Sequence, residues 1–420
     1  MHIVVIGAGL AGVTAAWSLR EAGHAVSVVE RREAAGLETS FANGGQISVS
    51  HPEPWANPGA PLLLLRWLGR RDAPLLFRFP AEAARIRWGL SFLRECMPGR
   101  TRRNTRAIAR MATYSARRLR DLRRTLDLHY DESSRGILHL YFSPAELRHG
   151  RQQQRLLEKH GIGARMLSVD ECIGIEPSLA QLRGRLHGAM LGMEDESGDA
   201  YTFTQALTQK AAAAGVQFHF GCRADRLVLS GKRIGAVDIT DAGGRTGALG
   251  GDAFVMAAGS YSGALVAPLG EKLPIYPVKG YSATLNLRRP ERVPQTSLTD
   301  ESRRIVCSRF GNQLRVAGTA ELNGFDLSLD PVRCQALLDW TEDMFPGACD
   351  LSSPHFWAGL RPTTPSNLPL VGRSRIDNLL YNTGHGTLGW TLACGTAQAL
   401  ADIIDGRPPE PDFPFLRNGV

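Results

Sequence analysis

HIVVIGAGLAGVTAAWSLREAGHAVSVVE, residues 2–30, decides the fold. His2–Ile6 is a continuous β-branched apolar run of the kind a buried parallel strand shows. Gly7-Ala8-Gly9-Leu10-Ala11-Gly12 follows at once, then a helical pattern, then a second apolar run ending in Glu30. Each glycine has its own reason: Gly7 for a tight turn, Gly9 so that a pyrophosphate can approach the backbone, and Gly12 for close packing of helix on strand. The helix start adds free N–H groups and the positive end of a dipole. Glu30 stands where a carboxylate accepts hydrogen bonds from ribose hydroxyls, and its charge argues against a 2′-phosphate. The unit binds a dinucleotide; the motif alone does not say whether NAD or FAD.

Working outward, GDAFVMAAGSYSG (251–263) reads as a late strand ending in Ala-Ala-Gly, the way flavoproteins return the backbone to the cofactor. Residues 215–240 read as strands joined by turns, with Ser230-Gly231-Lys232-Arg233 a hairpin candidate. No second GxGxxG opens another βαβ unit, so there is no sign of a separate nicotinamide domain. Electrons would leave the flavin for a different acceptor.

Composition narrows the class. The chain has 420 residues, 43% hydrophobic and 21% charged, enough for a sizeable core in two or three structural units. The net charge of +8 comes mostly from arginine and by itself is weak evidence for nucleic acid or membrane, so no nucleic-acid partner is expected. Seven scattered cysteines form no Cys-x-x-Cys and no zinc spacing, so reduced thiols and no metal are expected. The N-terminal run lacks a basic leader and enters a fold motif, and no stretch approaches a spanning length, so a soluble or peripheral protein is expected.

Two segments bear on surfaces. In residues 101–126 Ile108, Met111, Tyr114, Ala116, Leu119 and Leu122 fall on one helical side, with arginines elsewhere. PLLLLRWLGRRDAPLLFRFP, residues 61–80, mixes Leu, Trp and Phe with Arg and suits either a bilayer interface or burial in the fold.

Five blocks then carry a resemblance: LETSFANGGQIS (37–48), PEPWANPGAPL (52–62), YPVKGYS (276–282), FWAGLRPTTPSNLPLVGR (356–373) and NTGHGTLGWTLACG (382–395). In this order and spacing they resemble the small subunit of the bacterial D-amino acid dehydrogenase family, flavoenzymes of the D-amino acid oxidase superfamily. The resemblance implies an α/β fold, a Rossmann-like FAD-binding domain with an α+β substrate domain inserted. The cofactor part is expected in 1–50, 185–270 and 355–420, the substrate part in 51–184 and 271–354.

It also implies site residues. FAD would be held by Gly7, Gly9, Leu10, Ala11, Gly12, Glu30 and Arg31, then by Asn43, Gly44, Gln46 and Ile47. Ala224, Ala258, Gly259 and Arg361 follow, and Gly384, His385, Gly386, Thr387, Leu388 and Gly389 close the set. This second glycine-rich helix start would face the flavin ring, where negative charge develops on hydride arrival. Arg361 is expected to bind the substrate carboxylate with its planar fork, and Tyr281 to donate to the same group. Lys279 could reach the flavin through solvent or lie exposed. His51 stands where the family has a tyrosine, in a loop that shapes the side-chain pocket; it could accept the ammonium proton or be an exposed loop residue.

The activity implied is oxidative deamination of small or cyclic D-amino acids, such as D-alanine, D-proline or a hydroxy-D-proline, with electrons passed to a respiratory quinone-type acceptor. An oxygen-using oxidase and a non-catalytic flavin scaffold subunit are the alternatives. The family's place is the inner face of the cytoplasmic membrane, as a peripheral protein.

Overall fold

The computed structural model of the chain describes residues 1–67, 75–77 and 83–419. A six-stranded sheet runs in the order 370–373, 379–383, 253–256, 2–6, 25–29, 217–219. Four of its five pairings are parallel and only 370–373 turns antiparallel against 379–383. The strand His2–Ile6 sits in the middle, and Ile3, Val4 and Val5 are fully buried, as a strand covered on both faces requires. The helix Leu10–Glu21 covers one face, packed by Ala200–Ala213 and Gly389–Ile404.

The glycines of the first turn behave as the motif requires. Gly7 has φ +105°, and a Cβ there would lie 2.7 Å from the Ala257 carbonyl oxygen. A Cβ on Gly12 would lie 1.9 Å from the Gly7 oxygen, so helix and turn touch backbone to backbone. The strand Ala253–Met256 ends in Ala257-Ala258-Gly259 beside this turn, as expected. The hairpin at Ser230–Arg233 is also present, Ser230 pairing with Arg233 in a three-stranded antiparallel sheet of 223–230, 233–240 and 246–250.

The second layer is a nine-stranded mixed sheet in the order 355–363, 276–286, 313–322, 305–310, 297–300, 137–141, 188–192, 164–167, with 75–77 joined to 313–322. One face packs on the helix Pro331–Met344 around Trp340, Leu337 and Phe345; the other faces the six-stranded layer. Strands 188–192 and 355–363, placed with the cofactor part on sequence, are hydrogen-bonded into this larger sheet. The helix Pro98–Leu126 departs from its expected part in the opposite sense, since Leu119 and Leu122 join the core under the dinucleotide unit.

That helix buries all six residues of the apolar side read from its spacing. Several arginines on its outer side are drawn into ion pairs, Arg120 and Arg123 with Glu196, Arg110 with Asp412 and Arg117 with Glu410. The seven cysteines are all free thiols. Among the described residues no helix is long and apolar enough to cross a membrane. Of residues 61–80, positions 68–74 and 78–80 lie outside the described residues; Ala60–Trp67 is a helix.

Gly12→Val tests the backbone contact at the centre of this packing. Forcing a branched side chain against the Gly7 carbonyl should lower the unfolding free energy by about 1–3 kcal/mol, read by urea denaturation. An unchanged midpoint and slope would contradict the contact.

Candidate functional site

The parallel strands point their carboxyl ends at one long cavity of about 950 Å³, which separates the two sheets. Such a crevice beyond the strand ends is where doubly wound sheets bind nucleotides. Gly7, Gly9, Leu10 and Ala11 form one end of it. A Cβ on Gly9 would meet only Ser40 Oγ, at 3.7 Å, so the glycine backbone itself is the cavity surface. The N-cap, Gly9, brings no side chain of its own, Ser40 Oγ accepts only the Leu10 amide at 3.0 Å, and the first turn of the helix Leu10–Glu21 holds no acidic residue. The end of its dipole is therefore left for an anion.

Glu30 is buried at the end of its strand. Its Oε2 accepts from the Ala8 amide at 2.7 Å and its Oε1 from the Arg32 amide at 2.9 Å. Burial raises its pKa against the pull of those two hydrogen bonds. Glu30 lines the cavity, and each oxygen, accepting one amide, retains acceptor capacity for a hydroxyl donor. Arg31 lies over the Tyr261 ring, 3.8 Å from the centroid, and pairs with Glu38 at 2.7 Å. Ala224, Ala258 and Gly259 line the same stretch.

The second glycine start meets the same cavity further along. Gly386, Thr387, Leu388 and Gly389 form a single tight turn that leads into the helix Gly389–Ile404. Gly386 has φ +56°, and a Cβ there would meet nothing closer than 3.8 Å, so it is the backbone angle, not space, that asks for glycine. His385 hydrogen-bonds Thr396 Oγ1 at 3.0 Å, and burial pulls its pKa down to about 4, so the ring is neutral. Asn382, which opens the 382–395 block but is not among the expected cofactor residues, ties the two starts together. Its Nδ2 donates to the Ala11 carbonyl at 3.0 Å, while its buried Oδ1 has no partner among the described residues.

Of the cofactor residues expected, Gly12, Ile47 and Gly384 do not reach the cavity. Gly12 serves helix packing and Gly384 a left-handed turn against Thr364. Ile47 is a correction: its side chain is in the hydrophobic core beneath the dinucleotide unit. Asn43, Gly44 and Gln46 do line the cavity, with Gln46 Nε2 held by Ser297 Oγ and Thr299 Oγ1 at 2.9 and 3.1 Å.

The opposite wall is the nine-stranded sheet, and Arg361 projects from it. The strand His355–Thr363 pairs with Tyr276–Asn286 so that Arg361 lies opposite Val278 and its guanidinium covers Gly280. A Cβ at Gly280 would sit 2.3 Å from Arg361 Cζ; only glycine lets the guanidinium lie flat there. Arg361 Nη1 donates to the Thr319 carbonyl at 3.0 Å, and no carboxylate pairs with it among the described residues. Burial alone brings its pKa down to about 10, so it stays charged at neutral pH. A desolvated guanidinium without a counter-ion on a cavity wall is a ready site for a carboxylate.

Tyr281 is corrected by strand alternation. It is the neighbour of Gly280 and borders the cavity, but its hydroxyl turns away and donates to Glu321 Oε2 at 2.6 Å. Burial and Glu321 raise its pKa, and the phenol is not available to a ligand of Arg361. Lys279 is neither exposed nor directed at the cavity: it is buried, with Nζ 3.1 Å from Asp326 Oδ2 and 2.9 Å from the Ser328 carbonyl.

His51 is in the cavity wall rather than on an outer loop, and it brings an unforeseen cluster. Its ring stacks on that of His139 with centroids 5.9 Å apart, and its Nδ1 is 3.9 Å from Glu301 Oε1. His139 is clasped on both sides, Nδ1 with Glu301 at 2.9 Å and Nε2 with Ser50 Oγ at 3.1 Å, which in turn donates to Asp195. Burial would lower His139, but Asp195 and Glu301 outweigh it and push its pKa up to about 9. Burial would raise Glu301, but His139, His51 and Arg304 hold it well below the usual carboxylate range. His51 itself is lowered, by burial and by the His139 and Arg304 charges. One ligand atom from each of His51, His139 and Glu301 lies within 4.8 Å of the others, a proximity no Cys/His spacing announced.

The cavity therefore matches FAD in kind: a glycine-opened helix start without an acidic residue for the diphosphate, a buried carboxylate for the ribose, and a second helix start for the ring. Comparisons with known proteins agree. The chain is 53% identical over 417 residues to the D-amino acid dehydrogenase of Dechloromonas aromatica, covering 99% of this chain and 100% of the relative. It is 45% identical to the D-amino acid dehydrogenase of Paramagnetospirillum magneticum, covering 97% and 96%. Among solved structures, glycine oxidase from Bacillus cereus superposes with a TM-score of 0.71 at 21% identity over 96% of this chain and 95% of that one. L-Proline dehydrogenase from P. horikoshii gives 0.74 at 18% identity over 98% and 95%. These two share the fold. The model of the FAD dependent oxidoreductase (DAO) family matches residues 2–403, and the chain belongs to that family, with FAD as its cofactor.

Proposed function

We propose that the protein is a D-amino acid dehydrogenase that oxidises the Cα–N bond of its substrate to an imine, which water then converts to a 2-oxo acid. The observation that carries this reading is the Arg361 guanidinium, without a carboxylate partner among the described residues, on the wall facing the cofactor crevice; the names of the relatives supply the D configuration. FAD, when bound, accepts the Cα hydride at N5.

The chain's own residues do the rest. Arg361, anchored through one nitrogen on Thr319, offers its remaining donors to the substrate carboxylate and so fixes the position of Cα. Gly280 keeps the guanidinium flat against the sheet. The turn Gly386–Gly389 and the start of the following helix present backbone donors where negative charge accumulates on the ring. Small or cyclic D-amino acids such as D-alanine and D-proline are the substrates we assign.

The acceptor we assign is of the quinone type, met at a membrane surface. On the helix Ala83–Glu95 and the residues after it, Ile86, Leu90, Leu93 and Met97 recur at helical spacing and are all roughly half exposed. Leu62 of the neighbouring helix is 57% exposed, and Arg66, Arg87 and Arg94 are exposed beside them. Apolar residues flanked by arginine fit the interface of an anionic bilayer.

Arg361→Ala, by removing one side of a buried charge pair worth about 3–5 kcal/mol, should lower kcat/KM for D-alanine by roughly two to three orders of magnitude. A loss below about fivefold would remove the carboxylate role. For the surface, wild-type protein should sediment with vesicles containing anionic phospholipid and be released by the double substitution Leu90→Glu, Leu93→Glu. Equal partitioning of the two proteins would contradict the assignment.

A further inference from the structure

The His51, His139 and Glu301 cluster is built more firmly than a chance meeting of side chains. Its members come from three places in the chain: the loop after Gln46–Ile47, the strand Ile137–Tyr141, and the turn that follows Ser297–Asp300. Asp195 supports them from behind, accepting from the Ser50 amide at 2.8 Å as well as from its hydroxyl. A Cβ at Gly192 would lie 2.1 Å from Asp195 Oδ2, so a glycine makes room for this carboxylate. His139 and Asp195 are almost wholly buried. A polar network at this depth is stable only when its members satisfy one another, as these do.

The cluster lines the same cavity as Arg361, and His139 lies on the same sheet. Arg361 rests on the strand Gln313–Leu322, three strand spacings from Ile137–Tyr141, or about 14 Å at the usual separation. Both ends face one cavity, so a substrate whose carboxylate meets Arg361 can run its side chain along the sheet toward the imidazoles.

Charge in the cluster is balanced. The His139 cation lies between the carboxylates of Asp195 and Glu301, and Arg304 Nη1 is bonded to Glu301 Oε2 at 2.8 Å. Glu53 at the cavity mouth is engaged by Gln153. A charged ligand gains little from such a set. His51 is different, because its Nε2 has no hydrogen-bond partner among the described residues. A neutral imidazole edge can donate or accept according to its tautomer.

We propose that this cluster is the side-chain subsite of the enzyme, and that through His51 it favours D-amino acids whose side chain ends in an uncharged hydrogen-bonding group, a hydroxyl or a carboxamide. The inference rests on the dehydrogenase reading and deepens it. His139 and Glu301 are positioning residues here, holding the His51 ring by stacking and by the carboxylate beside its Nδ1.

The test is kcat/KM of the FAD-loaded enzyme on matched pairs: D-asparagine against D-leucine, and D-threonine against D-valine, with D-alanine as reference and D-lysine and D-glutamate as charged arms. The polar member of each pair should be favoured by roughly tenfold or more. His51→Phe should bring both ratios close to one, and His51→Gln, which keeps a hydrogen-bonding edge, should restore much of the preference. Bound-flavin absorbance confirms that each variant is folded. Failure of the wild type on D-alanine would strike the dehydrogenase reading itself. Turnover of D-alanine without a polar preference would overturn the subsite alone. So would a His51→Phe loss that falls equally on every substrate, or a tenfold preference for D-lysine or D-glutamate over D-asparagine. Selectivity lost on chelation and restored by Zn²⁺ would make the three side chains a metal site and overturn it too.

Discussion

The hydrogen bond from Asn382 Nδ2 to the Ala11 carbonyl, 3.0 Å long, joins the two glycine-opened helix starts on which the site depends. Both starts follow parallel strands of one sheet, so both point their free N–H groups the same way, out of the carboxyl edge. A single elongated cofactor can then be met at its diphosphate by the first and at its ring by the second. In the proposed function, repetition of the glycine pattern far down the chain divides the labour along one molecule.

The opposing wall follows a different logic. The strands around Arg361 pair antiparallel and present no helix starts, but their alternation delivers side chains to one face at every second position. Arg361 uses this, and its neighbour strand yields space with Gly280. Removing a guanidinium from water without a protein carboxylate destabilises the fold locally, as its lowered pKa reflects. In the proposed function an anionic substrate makes that charge favourable, which would place recognition and positioning in one group.

Much of this was legible before the fold was known. The Gly7–Gly12 turn, Glu30, the Ala257-Ala258-Gly259 return and Arg361 are tied to local backbone needs or to blocks whose order is itself informative. What escaped depended on alternation and on long-range partners. Tyr281 and Gly280 are adjacent, and only the pairing with His355–Thr363 and Gln313–Leu322, with its register shift between Lys279 and Tyr281, shows that the Tyr281 hydroxyl turns away from the cavity. His139 stands in an apolar strand and acquires meaning from Glu301, 162 residues away, and from Asp195. Its only local signal was polarity in the run Ile137–Tyr141. The boundaries of the two parts were blurred for the same reason, since 188–192 and 355–363 pair with strands distant in sequence.

The central claim is that an amino acid held by Arg361 delivers its Cα hydride to the cofactor in this crevice, and only in the D configuration. Anaerobic mixing of the FAD-loaded protein with D-alanine or L-alanine, followed by visible absorbance, tests it most directly. The account predicts bleaching of the oxidised flavin band by D-alanine and none by L-alanine. A flavin left oxidised by D-alanine and by the other small D-amino acids, or bleached equally by both enantiomers, would contradict it.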